Sequence, residues 1–95
     1  MPTALWISHV DVLDVERYQL YAVPAGAVIA SFGGVFLARA TRAVQLEGEG
    51  RARNVVARFP SLEAAVACYS SPEYQAAMAA AQGASVRSLM VLEEN

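Results

Sequence analysis

The chain contains no lysine, a single histidine, a single cysteine and no apolar run near the roughly 18 to 20 residues that cross a bilayer. Each absence excludes something. Cys68 alone cannot close an internal disulfide, in keeping with a reducing compartment. One histidine and one cysteine cannot supply three or four soft ligands, so no metal site is expected. The opening Met1-Pro2-Thr3-Ala4 lacks a basic segment followed by an apolar stretch, which leaves the cytoplasm as the expected location. Positive charge rests on seven arginines against nine acids, a net charge of −2. Without a basic helix or a basic, aromatic-rich strand, neither nucleic acid nor a membrane is an expected partner.

What is present points to a small globular domain. Hydrophobic residues make up 56% of the chain and charged ones 17%, too apolar for disorder. Residues 1–95 fit a single domain, which at this size buries a modest share of its surface and gains from a partner subunit.

Leu5 to Val12 is a β-branched, apolar run that reads as a first strand, and Asp14 offers an N-cap for the helix after it. Val15, Tyr18 and Ala22 form that helix's stripe, Pro24 interrupts it, and Ala25, Val28, Ile29 and Phe32 rebuild it. The expectation is a broken or kinked helix, ended by Gly33-Gly34. Val35 to Arg39 is a second strand. Thr41 to Arg53 reads as a long hairpin with room for a short extra strand at Val44 to Glu47, leading to a third strand at Asn54 to Phe59. The second half repeats the plan: Ser61 caps a helix, Ser71-Pro72 restarts it, Gly83 stops it, and Val86 to Leu92 is the fourth strand. Strand, broken helix, strand, strand, broken helix, strand is the α+β, ferredoxin-like βαββαβ plan.

Right-handed crossovers put both helices on one face of the four-stranded sheet and leave the other bare. Alternation assigns Trp6, Ser8, Val10, Phe36, Ala38, Val55, Ala57, Phe59, Val86, Ser88, Met90 and Leu92 to the helix side. The bare side then carries Leu5, Ile7, His9, Val35, Leu37, Arg39, Asn54, Val56, Arg58, Arg87, Leu89 and Val91. So apolar a face calls for cover, and a second copy packed sheet against sheet supplies it by a self-complementary contact.

Four motifs in order, Phe32-Gly-Gly-Val-Phe-Leu-Ala-Arg39, Leu46-Glu-Gly48, Phe59-Pro-Ser-Leu-Glu-Ala-Ala65 and Tyr69-Ser-Ser-Pro-Glu-Tyr-Gln75, resemble the bacterial domain-of-unknown-function family 1330 over nearly the whole chain. The resemblance implies a ferredoxin-like subunit pairing into a dimeric α/β barrel. That superfamily also holds cofactor-free monooxygenases, small isomerases and haem-degrading enzymes, while the family itself carries no assigned reaction. The chain departs from the family pattern at Val35, Ala40-Thr41, Arg58 and Cys68, largely polar positions in relatives.

With strand order 4-1-3-2, His9, Arg39, Asn54 and Arg87 are expected at one end of the bare face. There they would form a polar mouth on an apolar barrel interior, suited to a small carbon skeleton bearing a carboxylate or enolate oxygen. Arg39, Asn54 and Arg87 are the candidate ligand-binding residues and His9 the candidate catalytic residue, moving a proton near neutral pH. The alternative is that these residues rim a dimer interface, paired with Asp11 or backbone carbonyls. Cys68 reads as an inert core thiol, and the four tyrosines as core aromatics with a polar tip. Gly33-Gly34 follows a helix and opens a strand, the reverse of a dinucleotide fingerprint, and no cofactor is expected. Two functions stand: a cofactor-free enzyme of isomerase or monooxygenase type acting on a small oxygenated compound, or a non-catalytic module binding a metabolite or protein.

Overall fold

A computed structural model describes residues 2–95. Its elements are β1 (Ala4–Val12), α1 (Val15–Ser31), β2 (Val35–Arg39), β3 (Arg53–Phe59), α2 (Leu62–Ser70), α3 (Pro72–Ala80) and β4 (Ser85–Glu93). The four strands form one antiparallel sheet in the order β2-β3-β1-β4, and the helices cover one face, which makes the fold ferredoxin-like α+β as expected. None of the helices is long and apolar enough to cross a membrane.

Local chemistry sets the helix ends. Asp14 accepts a hydrogen bond from the Arg17 amide at 3.1 Å and Ser61 from the Ala64 amide at 3.0 Å, each satisfying one orphan donor of the first turn. Ser71 serves both helices at the break between α2 and α3: its hydroxyl donates to the Cys68 carbonyl at 2.8 Å and accepts from the Tyr74 amide at 3.1 Å. Pro72 follows at the first position of α3, where a missing N–H costs nothing. Past α1 the chain turns at Gly33, whose φ of +87° suits glycine. Gly34 is tighter still. A Cβ there would lie 2.9 Å from both the Ile29 carbonyl oxygen and Phe59 Cζ, so the pair lets β2 tuck beneath the end of α1.

The core between helices and sheet is aromatic. Trp6, Phe59 and Tyr74 are almost completely buried, with ring centroids 5.5 Å apart for Trp6–Phe59 and 5.3 Å for Trp6–Tyr74.

Four expectations are corrected. First, α1 is unbroken through Pro24. Pro24 deprives the Leu20 carbonyl of its donor, but both residues are exposed, so water replaces the lost bond and the helix continues. Second, residues 40–52 contain no strand, and the proposed one at Val44 to Glu47 is an exposed loop. Asp11 ties the loop's end to β1: it accepts from Arg51 at 2.9 Å and from the Ala52 amide at 3.1 Å.

Third, β4 presents its faces the opposite way. Trp6 pairs with Val91, Ser8 with Leu89 and Val10 with Arg87, so Arg87, Leu89 and Val91 lie under the helices while Val86, Ser88, Met90 and Leu92 face outwards. Both sets are largely apolar, so alternation alone could not choose between them. Fourth, β2 is bulged between Phe36 and Ala38. Phe36 pairs with Ala57 on the helix side, Ala38 with Val56 on the open side, and Arg39 with Val55, back on the helix side. Arg39 and Arg87 therefore both leave the face on which they were expected.

The open face remains apolar after these exchanges. Val35, Leu37, Val86, Met90 and Leu92 are among its exposed residues, with Leu5, Ile7 and Val56 partly covered between them.

Candidate functional site

The four candidate site residues divide between the two faces. His9 and Asn54 are cross-strand partners on the open face, where the His9 Nδ1 and Asn54 Oδ1 atoms are 2.6 Å apart. The Asn54 amide nitrogen donates to the Arg51 carbonyl at 3.2 Å, which turns its oxygen towards the ring. That arrangement calls for a proton on Nδ1, which donates to the Asn54 oxygen. A hollow of about 400 Å³ adjoins His9, lined also by Asp11, Gln45, Glu49, Arg51 and Ser88. Two carboxylates border it, so it does not favour an anion.

Arg39 lies on the other side of the sheet, at a cavity of about 220 Å³ between α1 and strands β1, β2 and β3. Trp6, Tyr18, Tyr21, Ile29, Phe36 and Val55 provide much of its wall, and Ser8, Gln19, Arg39 and Arg53 contribute polar groups. The bulge in β2 aims Arg39 at this space, where its guanidinium lies 4.1 Å from the Phe36 ring centroid. Gly26 keeps the adjacent helix surface low, since a Cβ there would already touch the Arg39 guanidinium at 3.5 Å.

The hairpin expected over Thr41 to Arg53 would leave Arg53 in a loop, yet it is the first residue of β3 and pairs with Val10 on the helix side. Its guanidinium lies 5.6 Å from the Tyr18 ring centroid, and its buried Nε has no hydrogen-bond partner. A buried N–H left unpaired costs about 1 to 3 kcal/mol. The sequence held the signal: extending the alternation of Val55, Ala57 and Phe59 back by two residues places Arg53 with them. No aspartate or glutamate lines the cavity, so two guanidinium groups face it without a carboxylate.

Arg87 anchors a polar cluster beside this cavity. It donates to the Tyr74 hydroxyl at 2.7 Å, sits 4.5 Å from the Tyr21 ring centroid, and the Tyr21 and Tyr74 hydroxyl oxygens are 2.6 Å apart. Burial pushes both phenols above their usual pKa and keeps them protonated, with the neighbouring cation opposing the shift. For Arg87 burial disfavours the charge, but the two tyrosines outweigh it and hold the guanidinium above its usual value. Cys68 is fully buried, and burial pushes its thiol up to about 11, in keeping with an inert core residue. Among the described residues, no three histidine, cysteine, aspartate or glutamate side chains converge as a metal site.

The family model described as a domain of unknown function, DUF1330, matches residues 3–95. The chain belongs to the DUF1330 family. Solved structures agree on the fold. A protein of unknown function from Rhodopseudomonas palustris superposes on this DUF1330 chain with a TM-score of 0.80 at 21% identity, over 99% of this chain and 83% of the other. SnoaB from Streptomyces nogalater, a cofactor-independent oxygenase, reaches 0.68 at 12% identity over 100% and 95% of the two chains. A dimeric protein of unknown function with a ferredoxin-like fold, from Bacteroides fragilis, reaches 0.64 at 15% identity over 97% and 96%. At such identities the likeness establishes architecture and leaves chemistry to the residues. No curated protein matches the chain in sequence.

Proposed function

We propose that this DUF1330 protein is a homodimer that binds a small oxygenated or carboxylated organic compound in the cavity beneath α1 of each subunit. The observation that carries the reading is that two guanidinium groups, of Arg39 and Arg53, line one aromatic-walled cavity with no carboxylate among its lining residues. A bound oxyanion offsets both charges. The volume, about 220 Å³, is below the roughly 300 to 1,000 Å³ of drug-sized sites and suits a ligand of about one ring.

The dimer reading rests on the open face, whose exposed aliphatic side chains exceed what a monomer usually leaves wet. The described dimer among its structural neighbours has the same fold. His9 and Asn54 would then lie at the seam between subunits, and Arg39 keeps its ligand-binding assignment beside Arg53 rather than beside them.

Catalysis without a cofactor, of isomerase or oxygenase type, is the favoured activity. Two paired cations lower the energy of an enolate or phenolate, and the fold is shared with a cofactor-independent oxygenase. A second reading is a binding module without turnover. It is favoured by the absence of any histidine or carboxylate from the cavity wall, which leaves no ready general base there.

Native mass spectrometry of the purified protein tests the proposal. A dimer carrying up to one small acidic compound per subunit is expected, with the compound lost from Arg53→Met. A monomer, or ligand retention unchanged by Arg53→Met, would overturn it.

A further inference from the structure

Three donors meet at the Arg87 cluster, and their order limits which protons remain free. Arg87 can only donate, so Tyr74 Oη accepts from it at 2.7 Å. Tyr74 is fully buried, and the atom beside its hydroxyl able to accept its proton is Tyr21 Oη at 2.6 Å. Reversing that bond would leave the Tyr74 proton without an acceptor in the core. The chain of donation therefore runs Arg87 to Tyr74 to Tyr21, and the Tyr21 proton has no acceptor within the cluster. Tyr21 lines the cavity beneath α1, the same space faced by Arg39 and Arg53, as well as a smaller hollow that it shares with Met78 and Arg87.

We infer that the cavity takes a single-ring, oxygen-substituted aromatic carboxylate. Its carboxylate lies against Arg39 and Arg53, its ring against Trp6, Tyr18 and Phe36, and its hydroxyl or ring oxygen accepts a hydrogen bond from Tyr21. The inference rests on the cavity reading above and adds the chemical class of ligand. Aromatic walls favour a flat, polarizable ring over a saturated one of the same volume. Two guanidiniums favour a carboxylate over a neutral amide. The oriented phenol distinguishes an oxygen-bearing ring from a bare one, because a buried donor left unpaired carries a penalty. Arg87 is a positioning residue here: it does not touch the ligand but fixes the direction of the Tyr74–Tyr21 bond.

Titration calorimetry with benzoate, 3- and 4-hydroxybenzoate, 4-hydroxybenzamide and cyclohexanecarboxylate separates these contributions. The better hydroxybenzoate is expected to bind about tenfold tighter than benzoate, and the amide and the saturated acid more weakly than their counterparts. Tyr21→Phe should bring the hydroxybenzoate-to-benzoate ratio close to one, by weakening the hydroxybenzoate and relieving the unpaired donor that benzoate leaves. Arg87→Met should narrow the same ratio without touching the ligand, whereas a purely structural role would weaken all ligands alike. Arg53→Met should weaken every carboxylate. A wild-type ratio of one, or a ratio that survives Tyr21→Phe and Arg87→Met, would overturn the ligand class while leaving the cavity as an anion site. Failure of every compound to bind would overturn the cavity reading and this inference together.

Discussion

The arginines on the two faces of the sheet keep different company. On the open face Arg58 meets Glu94 at 2.7 Å, and at its margin Arg51 meets Asp11 at 2.9 Å. On the helix face Arg39, Arg53 and Arg87 each lie over an aromatic ring, of Phe36, Tyr18 and Tyr21, and none has a carboxylate partner. A cation at the surface gains little from its partner because water and salt screen both charges. Arg39 and Arg53 instead line a cavity against aromatic rings with no carboxylate in its wall, which leaves room there for a compensating charge. Arg17 and Arg42 also lack a carboxylate partner, so it is the shared cavity, more than the missing partner alone, that marks Arg39 and Arg53 as the candidate site.

Changes that remove one class of arginine or its surroundings sharpen the contrast. The largest effect is expected at the open face, where Met90→Arg should turn a dimer into a folded monomer, read by light scattering together with circular dichroism. Met90 is 54% exposed in the subunit, so the fold itself should tolerate the change, and a dimer that persists would remove the open face as its seam. Next, Tyr74→Phe deletes the hydroxyl between Tyr21 and Arg87 and should lower unfolding stability by about 1 to 3 kcal/mol in a urea titration. No measurable loss would mean that the cluster is not formed.

Arg53→Met is expected to go the other way. It removes a buried unpaired donor, so the ligand-free protein should be at least as stable as wild type, while ligand binding falls by about tenfold or more. A destabilised variant would show that Arg53 has a structural partner. Arg51→Met, by contrast, should loosen the loop at residues 40–52 and leave the cavity's affinity unchanged.

The smallest effect is local. Hydrogen bonds from the Ala52 amide and Arg51 hold the Asp11 carboxyl below its usual pKa. A depressed folded-state pKa means that Asp11's contribution is present above the unfolded value, about 3.9, and is lost as pH falls through the lower folded value. The Ala52 amide resonance should therefore titrate with a midpoint below about pH 3.9 and lose that transition in Asp11→Asn. A midpoint at or above that value would mean the anchor is absent in solution.

Much of the fold was legible in the sequence because the caps and turns are local. Asp14, Ser61, Ser71-Pro72, Gly33-Gly34 and Gly83 each act within a few residues, and together they mark the order of elements. The site was less legible because it depends on parity. One extra residue in the β2 bulge and one step of register in β4 moved Arg39 and Arg87 from one face to the other. Neither shift has a strong local mark: β4 is apolar on both sides, and the bulge contains no glycine. His9 and Asn54 were brought together as expected, since β1 and β3 are regular and their pairing follows from alternation. Pro24 misled through the opposite error, a local signal overruled because its orphaned carbonyl faces water.

The most direct measurement follows the arginine Nε–H resonances of the ¹⁵N-labelled protein during titration with 4-hydroxybenzoate. Arg53 should shift first and become protected from exchange, with Arg39 moving alongside it, while Arg51 and Arg58 stay in place. Shifts confined to Arg51 and Arg58, or an Arg53 resonance indifferent to ligand at saturation, would contradict the assignment of the helix-face arginines as the binding site.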